Sequence, residues 1–215
     1  MEEPIEQARR LAADDPTGWF DRLYVAAERG EAVVPWDRGG PHPLLEEWTR
    51  EHNVRGGGRR ALVVGCGFGS DAEHLAAIGF ATTAFDLSPT AVRGAQARFP
   101  NSPVDYRAAN LLEAPAQWRR AFDLVLESLT VQSLPDPPRR EAIARVADLV
   151  APGGTLLVIA TARDGPPPTP PWPLTREEID AFAADGGLET IRAEHLRDPA
   201  GEVPPRWRAE LRRPG

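Results

Sequence analysis

ALVVGCGFGSDAEHLAAIGFATTAFDLS, Ala61 to Ser88, is the stretch that decides the fold. An apolar run, Ala61 to Val64, ends in a turn with glycines at 65, 67 and 69. A helix-forming segment follows, and a second apolar run, Ala81 to Phe85, stops at Asp86. Strand, glycine turn, helix, strand and terminal acid are the parts of a half-site for a nucleoside cofactor, in which the acid accepts from both ribose hydroxyls. The turn lacks Gly-Lys-Ser/Thr and the chain has no lysine at all, which excludes a P-loop. Asp71 stands near the helix start, the region where a dinucleotide fingerprint wants a third, close-packing glycine. An acid at that helix start repels a pyrophosphate, so a cofactor with a ribose and no phosphate fits better.

S-adenosylmethionine is such a cofactor. Gly-Cys-Gly-x-Gly-x-Asp, then Phe85-Asp86-Leu87-Ser88-Pro89-Thr90-Ala91-Val92, then Pro152-Gly153-Gly154-Thr155-Leu156-Leu157, resemble the class I S-adenosylmethionine-dependent methyltransferases from about Arg59 to Leu196. Pro35-Trp36-Asp37-x-Gly39 and Gly165-Pro166-Pro167 resemble the thiopurine S-methyltransferase-like branch, which includes thiol and halide methyltransferases. The resemblance implies an α/β, Rossmann-like, doubly wound and mostly parallel sheet of seven strands with an N-terminal helical lid. Residues 1–58 are expected to form the helical segment and lid, and residues 59–215 the cofactor-binding core.

The element pattern agrees with that fold. Helices are expected over Glu6 to Ala13, Thr17 to Arg29 and Pro43 to His52, ahead of the sheet. Strands are expected at Ala61 to Val64, Ala81 to Phe85, Val104 to Arg107, Phe122 to Glu127 and Thr155 to Ala160, the last entered through a Pro152-Gly153-Gly154 turn. Helices alternate with them, one beginning with Ser88 as cap and Pro89 in the first turn, another over Pro138 to Leu149. Six prolines among residues 165–173 exclude helix and central strand there. Thr175-x-x-Glu178 is a capping box, and Leu188 to Leu196 with Arg206 to Arg212 make a final antiparallel pair.

Composition narrows the function. A formal charge of −7 argues against a nucleic acid partner. Cys66 is the only cysteine, and His42, His52, His74 and His195 show no metal spacing, so no metal is expected. No stretch approaches the roughly 18 apolar residues of a membrane span. The chain is expected to be cytoplasmic and monomeric or homodimeric, with a small-molecule substrate.

The resemblance places Gly65, Cys66 and Gly67 beneath the methionine half of the cofactor, with Cys66 as a small filler rather than a nucleophile. Asp86 takes the ribose and Leu87 rests against the adenine; Asn110 either accepts from the adenine amino group, beside Leu111, or simply belongs to a turn. Asp71 either caps its helix or meets the methionine ammonium through water, and Glu127, Ser128 and Leu129 line the methionine half and the acceptor pocket. Trp36 is a cofactor or active-site contact, and His42 either serves as base or begins a helix. Without a persuasive base the acceptor is expected to be a thiol or another soft nucleophile. An O- or N-methyltransferase and a non-catalytic cofactor-binding domain are the alternatives.

Overall fold

The computed structural model describes residues 18–163, 171–201 and 203–215. The expected helix over Glu6 to Ala13 and the motif Gly165-Pro166-Pro167 lie outside them. Among the described residues two helices precede the sheet, α1 (Trp19–Glu28) and α2 (Pro43–Glu51). Then follow β1 (Arg60–Val64), α3 (Ser70–Ala77), β2 (Ala81–Asp86), α4 (Pro89–Arg98), β3 (Asp105–Ala108), β4 (Phe122–Ser128), α5 (Pro138–Asp148), β5 (Val150–Thr161), α6 (Arg176–Ala184), β6 (Glu189–Leu196) and β7 (Arg206–Arg212).

The seven strands form one sheet in the order β3-β2-β1-β4-β5-β7-β6. Neighbours from β3 to β5 pair in parallel, and β7 runs antiparallel to both β5 and β6. Both faces of the central strands are covered. Leu62 and Val64 of β1 pack with Val125, Leu156 and Val158 on one face, while Ala61 and Val63 pack with Leu124, Leu126 and Leu157 on the other. That double burial explains why these strands read as unbroken apolar runs.

Sequence order reverses between β1 and β4, so the loops leaving these strands diverge to opposite sides of the sheet. The crevice at such a switch point, beyond the carboxyl ends of the strands, is where open α/β sheets bind ligands. The glycine turn after β1, Asp86 at the end of β2 and Ser128 at the end of β4 all stand on its rim.

Local signals set the element ends. Ser88 is buried and its hydroxyl accepts from the Ala91 amide (3.0 Å), with Pro89 in the first turn of α4. Thr175 and Glu178 form the capping box of α6. One expectation is corrected. Pro152-Gly153-Gly154 does not precede β5; the strand begins at Val150, opposite Phe122, and the register shifts before Leu124 meets Thr155. The triplet is a bulge inside the strand, with Gly153 at φ +73°, held by hydrogen bonds between Gly153 and Arg213 and between Arg213 and Gly154.

Candidate cofactor and acceptor site

A cavity of about 700 Å³ opens at the switch point, lined at one end by Asp86, Leu87, Asn110 and Leu111 and at the other by Arg38, His42, Thr161 and Arg206. The glycine turn lies between these ends. Gly65, Gly67 and Gly69 all have positive φ, the left-handed region that only glycine enters without strain. The reason for Gly65 is internal: a Cβ there would collide with the Thr130 side chain, whose hydroxyl donates to the Val64 carbonyl (3.0 Å). At Gly67 a Cβ would come within 3.0 Å of the Tyr24 hydroxyl, so the turn runs directly under aromatic residues of the N-terminal segment.

Asp86 is held in place by that turn. Its Oδ2 accepts from the Gly67 amide and its Oδ1 from the Ser88 amide, each at 2.9 Å. A carboxylate offers about four lone-pair sites, so each oxygen keeps one for a ribose hydroxyl. Burial raises its pKa, and the two backbone amides oppose that rise by favouring the ionised form. Leu87, 40% exposed, lies beside it on the cavity wall. Leu111 also lines the wall, but the Asn110 side chain caps the following turn, its Oδ1 accepting from the Leu112 amide (3.0 Å). One lone pair of that oxygen remains.

The N-terminal segment covers the turn. Trp36 Nε1 donates to the Tyr24 hydroxyl (2.8 Å), and Tyr24 meets Phe68 edge to face. Asp37 grips Arg98 of α4 through both oxygens at 2.9 and 2.7 Å. Asp21 on α1 accepts from the Ser88 hydroxyl (2.6 Å) and the Thr90 amide (3.3 Å), tying α1 to the residue that follows Leu87.

Asp71 does not cap its own helix, whose N-cap is Gly69 with no side-chain bond. Its Oδ1 accepts from the His42 amide (2.7 Å), and burial raises its pKa against the pull of that amide and of the nearby Ser128 hydroxyl. His42 caps α2: its Nδ1 accepts from the Leu44 amide (3.2 Å), which places the ring proton on Nε2. Burial, then the charges of Arg38 and Arg206, push its pKa down to about 3. The reading of His42 as base is therefore corrected, because the imidazole is a neutral donor with its basic nitrogen occupied.

Cys66 lines the cavity as a buried thiol, its pKa raised chiefly by desolvation. A thiol so protonated is no nucleophile. Leu129 lines the cavity at φ +62°, where β4 turns out of the sheet. Glu127 does not line it. Its Oε1 accepts from the Thr130 and Val131 amides, each at 2.8 Å, and Oε2 is buried with no partner among the described residues. Pleat alternation sends Ser128 to the cavity and its neighbour inward, so Glu127 supports the Thr130 turn instead of holding an ammonium.

Burial pushes Glu127 up to about 7, against the pull of the Val131 and Thr130 amides. Its folded pKa lies above the unfolded one, so its ionisation removes stability as pH rises from about 4.5 through about 7. Glu127→Gln, which cannot ionise, is expected to be more stable relative to the native chain at pH 8 than at pH 5. Urea denaturation at both pH values checks this, and a constant difference removes the assignment.

A family model described as a methyltransferase domain matches residues 61–154. The chain is 31% identical over 213 residues to a ubiquinone biosynthesis O-methyltransferase of Caulobacter vibrioides, covering 85% of this chain and 80% of that protein. It is 27% identical over 184 residues to a probable thiol methyltransferase 2 of Arabidopsis thaliana, covering 85% and 78%. Among solved structures, the 1,6-didemethyltoxoflavin-N1-methyltransferase of Burkholderia thailandensis, bound to S-adenosylhomocysteine, superposes with a TM-score of 0.70 at 18% identity, over 100% of this chain and 92% of that one. The strand order, the glycine turn beside Asp86 and these relatives agree: the chain belongs to the class I S-adenosylmethionine-dependent methyltransferases.

Proposed function

We propose that this methyltransferase acts on a hydroxyl oxygen of a small molecule. The observation that carries the reading is the meeting of Ser128 and Asp71 on the cavity wall, where the serine hydroxyl lies close enough to oppose the rise that burial gives the Asp71 pKa. A soft nucleophile needs little help, whereas a hydroxyl must lose its proton as the oxygen attacks. Ser128 can accept that proton while passing its own to Asp71, whose pKa burial has raised. The 31% identity to an O-methyltransferase along 85% of the chain supports the same reading.

When bound, S-adenosylmethionine supplies a methyl group on a cationic sulfur. The chain's own contribution is binding, alignment and exclusion of water. Asp86 would take the ribose, and the turn at Gly65 and Gly67 would lie beneath the methionine half. Tyr24, Trp36 and α1 would form a lid, closing residues 1–58 over the core of residues 59–215. A thiol acceptor is the second reading, favoured by the likeness to a thiol methyltransferase.

Asp71→Asn separates the two. With phenol as acceptor, kcat is expected to fall about a hundredfold, the low end of general-base effects. With 4-nitrophenol, which ionises in water, and with thiophenol it should change little. An equal loss on all three acceptors would assign Asp71 to cofactor binding or folding and overturn the relay.

A further inference from the structure

The buried arginines have partners, Arg213 donating to the Val150 and Ala147 carbonyls, each at 2.7 Å. Arg208, on β7, reaches Glu47, Glu51 and Glu194, and Arg139 reaches Glu178. Arg38, exposed at the mouth, and Arg206, half-buried, both line the cavity and make no ion pair among the described residues. Arg206 opens β7 opposite Thr161, the last residue of β5. Strand order sets it three strands from β1, roughly 14 Å at about 4.8 Å per strand, on the side away from Asp86.

Its guanidinium is fixed by one donor. Nη1 donates to Thr161 Oγ1 (2.9 Å), and Thr161 is itself held through its amide by Gln132 Oε1 (2.6 Å). The other guanidinium N–H groups have no acceptor among the described residues, and a planar fork of that kind matches a carboxylate. Arg38 is close enough that its charge lowers the pKa of Arg206, after burial, and that of His42. Among the described residues the nearby acids are engaged, Asp71 with the His42 amide and Asp37 with Arg98. A third donor completes the group, because the buried His42 Nε2 carries the ring proton and has no partner among the described residues. Two like charges and a desolvated donor on one wall are unfavourable without an anion to accept from them.

We propose that the methyl acceptor carries an anionic oxygen group, a carboxylate in its simplest form, bound between Arg38 and Arg206 with the Nε2–H of His42 as a further donor. The proposal rests on the reading of this cavity as a small-molecule acceptor site and names the acceptor's class.

The test is calorimetric titration of benzoate and of benzamide into the protein saturated with S-adenosylhomocysteine. Benzoate is expected to bind at least tenfold more tightly. Arg206→Met should abolish that preference and Arg38→Met reduce it, with the dissociation constant of S-adenosylhomocysteine changing less than twofold in each. Two variants on different elements guard against a fold defect in one. Equal affinity for the two probes, or no binding of either, overturns the proposal. So does a tenfold loss of S-adenosylhomocysteine affinity, which would assign the arginines to the carboxylate of the cofactor's methionine. Turnover of 4-hydroxybenzoate and 4-hydroxybenzamide separates this from the proposed function. Methylation of both without benzoate selectivity removes the anion site alone, whereas selective benzoate binding without methylation of either removes only the hydroxyl reading.

Discussion

Asp86→Ala is expected to weaken S-adenosylmethionine binding about a hundredfold, about 2.8 kcal/mol, and to lower the melting temperature as well. The affinity follows from losing two hydrogen bonds from ribose hydroxyls to a carboxylate, each worth about 1.5–3 kcal/mol, at about 1.4 kcal/mol per decade. The stability loss has a separate origin. The same oxygens accept from the Gly67 and Ser88 amides at 2.9 Å, and the side chain is buried. Alanine leaves both amides without an acceptor, at about 1–3 kcal/mol for each that stays dry. Calorimetry on the folded protein measures the first effect and a thermal melt the second. An unchanged dissociation constant would take Asp86 out of the ribose site, whatever happens to the melt.

Gly65→Ala should be strongly destabilising for a single added methyl. The residue sits at φ +62°, which costs a side chain about 1–2 kcal/mol. The new Cβ also falls against Thr130, whose hydroxyl is bonded to Val64 and whose amide is bonded to Glu127. Overpacking of that kind costs typically about 1–3 kcal/mol. A total loss of about 2–5 kcal/mol is expected by urea denaturation, with cofactor affinity reduced in whatever remains folded. Thr130→Ala in the Gly65→Ala background should recover the packing share and leave the dihedral share. Strict additivity of the two substitutions in a double-mutant cycle would sink the collision.

These two residues illustrate different degrees of legibility. The place of Asp86 could be read directly, because an acid that closes an apolar run after a glycine turn marks the end of the second strand beside that turn. Gly65 could be read as a glycine position, but its reason could not. A collision with a bound cofactor is the natural reading of the motif, whereas the atoms in the way belong to Thr130, brought there by the pairing of β1 with β4. His42 was legible as the start of a helix, since it precedes Pro43. Its loss of basicity depends on burial and on Arg206, which lies far away in the chain. Glu127 was misplaced because a strand buried on both faces shows no apolar–polar alternation to tell which side of the sheet each residue meets.

The resemblance of its motifs implied the cofactor class, and by itself the sequence determined the order of strands and helices and the caps at Ser88, Thr175 and His42. Elements and caps rest on dihedral preferences and hydrogen bonds spanning a few residues, which act wherever the segment lies. Only the tertiary structure decided what faces the acceptor. Arg38 comes from a loop before the sheet and Arg206 from the start of its last strand. They meet because β7 enters the sheet antiparallel, between β5 and β6, which returns the beginning of that strand to the carboxyl ends of the others. No local pattern encodes that meeting, since it is fixed by strand order and direction, and those follow from burial summed over the whole sheet.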